Sequence, residues 1–312
     1  VSGGAPGEAG VPVWRGLIRL ARPTQWSKSV FVLIGPAYWL VDNSPEDALR
    51  FAWDVLMACA AFALASSGCY VLNDLADVEE DRNHPRKKHR PIASGVIAPR
   101  VARWYAGLLF AASALLVVLL PSHSWWVMGL LVAGYVANVI AYSARLKHIV
   151  IADVMSLSMG FVLRVFGGCA AIGIAPTTWL MNVTLFLSMT LAFGKRLGER
   201  RSMGEDAASV RGVQAKYSDE LLRMAVVVTA VGTLLTYAGY VTTREADFAV
   251  HGFNWLWVSI LPATYGLLRA ILLLEHGRYD DPTELAVSDR PFQAAAGVFG
   301  VLMVALWFVM RA

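Results

Sequence analysis

Apolar stretches long enough to cross a lipid bilayer recur along almost the whole chain, and they limit its fold more than any other feature. A spanning helix needs roughly 20 mostly apolar residues. Nine stretches approach or meet that length: about 28–42, 51–72, 101–120, 123–143, 149–172, 177–195, 222–242, 253–274 and 291–311. The first is the shortest and carries Pro36. Backbone polar groups inside a bilayer must be satisfied within their own segment, so such runs predict helices. The expected fold is all-α, a polytopic membrane bundle of nine transmembrane helices forming a single domain over 13–312. Residues 1–12, rich in Gly and Ala, are expected to be a disordered tail.

Composition agrees. Of 312 residues 57% are hydrophobic and only 16% charged, against about a quarter charged in soluble domains. Polar surface is too scarce to cover a soluble globule of this size, which argues against a soluble enzyme or a nucleic-acid reader; no nucleic-acid partner is expected. Cys59, Cys69 and Cys169 all lie in apolar runs without metal-ligand spacing, and read as buried thiols.

The charges that exist are unevenly placed. Of 27 Lys and Arg, Arg50, Arg244 and Arg311 fall on one predicted side, and Arg164 and Arg269 fall inside spans. The other 22 lie in the N-terminal segment and the loops after spans 2, 4, 6 and 8. Basic loops stay cytoplasmic, so the N-terminus is predicted to be cytoplasmic and the C-terminus outside. Within 13–22, Arg15, Arg19 and Arg22 share one helical face and Trp14, Leu17, Ile18 and Ala21 the other. This predicts an amphipathic helix in the membrane interface, serving as a basic anchor or as a contact for an anionic head group.

The densest chemistry follows span 2, in NDLADVEEDRNHPRKKHRPIASG. If the segment is helical, Asp74, Asp77 and Asp81 stand at i, i+3 and i+7 and project from one face. Carboxylates so placed repel one another unless a cation lies between them. Magnesium suits the task, because it takes oxygen ligands and shares them with substrate phosphates. The bases Arg82, Arg86, Lys87, Lys88 and Arg90 follow at once and suit phosphate oxygens. Span 5 holds Asp153 and Arg164, eleven residues apart and so on one face. Ionisable residues in a span face the bundle interior and mark function. Arg164 is either the partner of another buried group or part of a cavity lining; Arg269 reads as structural or snorkelling.

N-D-x-x-D-x-x-x-D, beginning at Asn73 at the cytoplasmic end of the second of nine spans, resembles the motif of the UbiA superfamily of intramembrane transferases. The resemblance runs from about residue 15 to 311. It implies a magnesium-bound diphosphate leaving group held by Asp74, Asp77 and Asp81. The second aspartate motif of the aromatic prenyltransferases is absent; Lys195, Arg196 and Glu199 stand there instead. RPTQWSKS (22–29), HPRKKHRPIASG (84–95), YSARLKH (142–148), GKRLGE (194–199) and DPTELAVSDR (281–290) resemble the superfamily branch that moves phosphoribosyl groups to polyprenyl phosphates in cell-wall arabinan synthesis. That resemblance implies phosphoribosyl pyrophosphate as donor and a polyprenyl phosphate, such as decaprenyl phosphate, as acceptor. Cations in place of the second acidic motif are what three phosphoryl groups would require. Asn73, Lys87, Lys88, Arg90, Lys147, Asp153, Lys195 and Arg196 are candidate contacts for the donor, and Lys28 for the lipid phosphate. Glu199 could hydrogen-bond a ribose hydroxyl or orient Lys195. The rivals are prenyl transfer from an allylic diphosphate and a transporter, whose polar groups would lie nearer the bilayer midplane. The sequence leaves the oligomeric state open, a homo-oligomer included.

Overall fold

A computed structural model describes residues 12–84, 87–120, 125–203, 216–276 and 288–311. The tail at 1–11 and Arg86, Glu205, Asp206 and Glu284 lie outside the described residues. The described residues contain helices and no strand. The α-helices are α1 (Val13–Ala21), α2 (Phe31–Trp39), α3 (Ala48–Ala76), α4 (Val78–Asn83), α5 (Pro99–Val118) and α6 (Trp125–Ala144). They continue with α7 (Ala152–Ala171), α8 (Thr178–Met203), α9 (Asp219–Thr243), α10 (Ile260–Glu275) and α11 (Arg290–Arg311). Short 3₁₀ segments at Pro23–Val30, Lys87–His89, Leu146–His148, Glu245–His251 and Trp255–Ser259 join several of them.

Local sequence explains the helix ends. Asp47 caps α3, its carboxylate accepting the backbone N–H groups of Leu49 and Arg50 at 3.0 Å each. Ser218 caps α9 through the N–H of Leu221. Arg22 adopts φ 51°, a left-handed stop for α1, and Pro23 then starts the 3₁₀ segment.

Among the described residues seven helices are long and apolar enough to cross a membrane: Ala48–Ala76, Pro99–Val118, Trp125–Ala144, Ala152–Ala171, Asp219–Thr243, Trp255–Glu275 and Arg290–Met310. Each coincides with a span expected from the sequence. The two other expected spans fall on different structure. Residues 28–42 become the end of a 3₁₀ segment followed by nine-residue α2, because Pro23 and Pro36 restrict helix growth. Residues 177–195 lie in α8, whose last two turns carry Lys195, Arg196, Glu199 and Arg200.

The chain divides into two compact units, one of residues up to Ser143 with Leu163–Ala175, the other of Ala144–Val162 with Pro176 onward. In the first, α3 is the central helix. Its Ala58, Ala61, Phe62 and Ala65 pack with Val32, Val117, Met128, Val132, Tyr135 and Ala170. The small residues of α3 permit close approach, and Phe62 fills the remaining space. A second cluster joins Leu20 of α1 and Val71 of α3 to Ile92 and Ile97, which anchors the basic loop under the end of α3. In the second unit Val154, Phe193, Leu197, Tyr217, Leu222 and Val226 form the core. Of the apolar window in α3, 61% is buried in the protein, against 11% in α11. An outer helix so exposed and so apolar requires lipid around it.

Candidate functional site

The aspartates do not lie on one unbroken helix. α3 ends at Ala76, Asp77 takes φ −92° and ψ 10°, and α4 starts at Val78. The joint is shallow, since the Asp77 N–H still donates to the Asn73 carbonyl at 3.0 Å and the Asp81 N–H to the Asp77 carbonyl at 2.8 Å. Asp74 and Asp81 therefore still converge, and both are buried, at 2% and 1% exposure.

A cation does lie between them. Arg90 Nη1 donates to Asp74 Oδ1 at 3.1 Å and to Asp81 Oδ2 at 2.7 Å. Arg22 Nη2 donates to the same Asp74 oxygen at 2.5 Å, and its guanidinium carbon lies 4.9 Å from the Tyr70 ring centre. Lys87 Nζ is 3.9 Å from Asp81 Oδ1. Arg90, expected on a phosphate, is thus a carboxylate partner in this structure. Asp77 and Asn73 are half-buried, and Lys87 and Lys88 are exposed. Lys28, half-buried, sits on the 3₁₀ segment after Arg22. That segment is tied to α3 by the Trp26 indole N–H, which donates to Ser67 Oγ at 2.9 Å, while Ser67 donates to the Ala21 carbonyl.

Among the described residues no three His, Cys, Asp or Glu side chains already converge as a closed metal site. The donor set nevertheless fits a hard divalent ion. It offers carboxylate oxygens, and the buried Asp81 Oδ1 has no hydrogen-bond partner. A buried carboxylate oxygen in that condition calls for a cation or a donor.

A second cluster occupies the other unit. Asp153, at the start of α7, is fully buried. Its Oδ2 accepts Arg196 Nε at 3.2 Å and its Oδ1 accepts the Tyr217 hydroxyl at 2.5 Å. Arg196 Nη1 donates to Glu199 Oε2 at 3.1 Å. Arg196 and Glu199 are themselves 3% and 8% exposed. Of the two roles open to Glu199, the structure adds a third, a bond to Arg196 one turn back on α8. Burial, with the Asp153 carboxylate beside it, pushes the Tyr217 phenol well above its ordinary range. It therefore stays protonated, as a donor. Lys147 and Lys195 are half-buried, Lys147 on a 3₁₀ segment and Lys195 on α8.

Two span arginines find their partners. Arg164 Nη2 donates to the Tyr135 hydroxyl at 2.8 Å, with the guanidinium carbon 4.4 Å from that ring's centre. Arg269 binds both oxygens of Asp289, at 3.2 and 2.9 Å, so Asp289 holds helices together. Arg22 and Tyr217 were not among the candidate site residues. Their contacts lie 52 and 64 residues away, and only the position of Arg22 in the R-P-x-Q-W-x-K segment hinted at one of them.

Known proteins with similar chains agree with this architecture. A decaprenyl-phosphate phosphoribosyltransferase of Mycolicibacterium smegmatis is 32% identical over 286 residues, covering 89% of this chain and 88% of that protein. The protein of that name from Mycobacterium tuberculosis is 30% identical, covering 90% of both chains. The one from Corynebacterium glutamicum is 32% identical over 92% of this chain and 86% of that protein. A UbiA homologue from Archaeoglobus fulgidus, solved bound to DMAPP and Mg2+, superposes with a TM-score of 0.67 at 18% identity, covering 95% of this chain and 99% of that one. The UbiA prenyltransferase family matches residues 29–292, and the chain belongs to that family.

Proposed function

We propose that this protein transfers the 5-phosphoribosyl group of phosphoribosyl pyrophosphate to a polyprenyl phosphate, decaprenyl phosphate in the first instance, and releases pyrophosphate. The observation that carries the proposal is the likeness, at 30–32% identity over about nine-tenths of the chain, to proteins named decaprenyl-phosphate phosphoribosyltransferase. The product would feed the synthesis of an arabinose donor for the cell wall. The reading includes nine membrane crossings, α2 and α8 among them, an interfacial α1, and a site on the cytoplasmic face of the cell membrane. The exposed Trp14 and Ile18 of α1, at 58% and 52%, support the interfacial placement.

In the reaction a lipid phosphate oxygen forms a bond to ribose C1 as the C1–O bond to pyrophosphate breaks, and pyrophosphate leaves with the electron pair. The attacking phosphate is already anionic, so the protein needs no strong general base. Its work is positioning and charge stabilisation. Asp74, Asp77 and Asp81 would hold magnesium, which would neutralise the pyrophosphate as the bond lengthens. Arg22 donates to Asp74, Arg90 donates to both Asp74 and Asp81, and these bonds fix the orientation of the two buried carboxylates. Lys87, Lys88, Lys147 and Lys195 would supply cations for phosphoryl oxygens, and Asn73 an amide donor to the same substrate. Lys28 is assigned to the lipid phosphate.

A second reading, prenyl transfer from an allylic diphosphate, is favoured by the ligands named for the solved homologues, DMAPP and GPP. Purified protein in lipid should release pyrophosphate from phosphoribosyl pyrophosphate only when polyprenyl phosphate is present. Turnover of an allylic diphosphate with no turnover of the sugar donor would establish the second reading instead.

A further inference from the structure

Tyr217 lies outside the helices yet is 2% exposed and makes two hydrogen bonds through one oxygen. Its hydroxyl accepts the Ile151 N–H at 2.6 Å and donates to Asp153 Oδ1 at 2.5 Å. Ile151 has φ 71°, a left-handed conformation that a β-branched residue rarely adopts. The phenol thus serves one of the amide groups at the start of α7 that the helix itself cannot satisfy, and it fixes the carboxylate two residues on. Asp153 passes that order to Arg196 Nε, and Arg196 passes it to Glu199 through Nη1. The relay ends on the Glu199 carboxylate, an acceptor-only group suited to a sugar hydroxyl rather than to an anionic phosphoryl oxygen.

We propose that Tyr217 is a positioning residue which, through Asp153 and Arg196, aims the Glu199 carboxylate at a hydroxyl of the donor's sugar. This rests on the phosphoribosyl reading and narrows it: the cluster recognises the ribose, and the lysines outside it take the phosphates. Phe193 meets the Tyr217 ring edge-on at 6.5 Å, a packing contact that phenylalanine preserves, so Tyr217→Phe removes the hydroxyl alone.

The test compares phosphoribosyl pyrophosphate with its 2-deoxyribose and 3-deoxyribose analogues in wild type, Tyr217→Phe and Glu199→Gln. Wild type should prefer the full ribose over one analogue by about tenfold or more in kcat/KM, as a site built to bind a hydroxyl does. Glu199→Gln should bring that preference near unity, and Tyr217→Phe should reduce it by about threefold or more. Loss of folded protein lowers all donors equally and leaves the preference unchanged, so the ratio separates positioning from stability. An unchanged preference in Tyr217→Phe, or wild-type preference in Glu199→Gln, overturns the proposal while the phosphoribosyl reading stands. Absence of transfer from every sugar donor in wild type overturns that reading and the proposal with it. Should Tyr217→Phe not fold, Arg196→Lys interrupts the same relay and is judged by the same ratio.

Discussion

Asp74 and Asp81 are closed to solvent and share the Arg90 guanidinium, whereas Asp77, at the joint between α3 and α4, is half-buried. The three aspartates should therefore respond differently to substitution. Asp74→Ala strips Arg22 and Arg90 of a common counter-charge and should lower stability by about 2 kcal/mol, read as earlier thermal unfolding in detergent. Asp77→Ala leaves those arginine pairs intact. It should unfold like wild type yet transfer about 100-fold more slowly, as loss of one electrostatic stabiliser does. Chelation should stop wild-type transfer, and magnesium should restore it. Near-normal turnover in Asp77→Ala would remove Asp77 from the metal site. The convergence of Asp74 and Asp81 was legible from their spacing, because nearly continuous helix brings i and i+7 to one face. What occupies that face was not legible: Arg22 reaches Asp74 across 52 residues of sequence, and no local pattern encodes such a contact.

Helices in this protein approach closely where side chains are absent. A Cβ on Gly168 of α7 would lie 1.9 Å from the Val32 carbonyl oxygen of α2, a backbone atom with little room to yield. A Cβ on Gly300 of α11 would meet nothing within 4 Å. Gly168→Ala should therefore cost about 1–3 kcal/mol by overpacking, and Gly300→Ala should be neutral or slightly stabilising. Thermal unfolding of the two variants side by side reads the contrast, and equal melting temperatures would mean that α2 does not seat on Gly168. This contact also accounts for what the sequence could and could not say about helices. Seven of the nine spans expected from apolar length coincide with long apolar helices among the described residues, since that property is carried by each segment itself. α2 has nine residues, about 13 Å of helix, and its place depends on a glycine some 130 residues away. The polar end of α8, with Arg196 and Glu199, depends likewise on Asp153 of α7 to be buried at all.

At the scale of the whole chain the decisive quantity is the sidedness of charge. Three basic residues fall on one predicted face and 22 on the other, a bias that fixes orientation only if α2 and α8 both cross the membrane. Were α8 to remain on one face, the segment after it would emerge opposite the loop at 87–97, and its basic residues would break the rule. Single cysteines in a background lacking Cys59, Cys69 and Cys169 decide between these topologies. Ser94, Lys216 and Val250 are all exposed, Val250 at 95%, so each should react wherever reagent reaches it. With nine crossings, a membrane-impermeant thiol reagent should label Val250→Cys in intact cells, and label Ser94→Cys and Lys216→Cys only after permeabilisation. Labelling of Lys216→Cys in intact cells with Ser94→Cys protected would mean that α8 does not cross. Lys195, Arg196 and Glu199 would then lie on the outer side of the membrane, out of reach of a cytoplasmic sugar donor. The positive-inside pattern and the site assignment therefore stand or fall on one measurement, because the lysines assigned to the phosphates are among the basic residues that orient the chain.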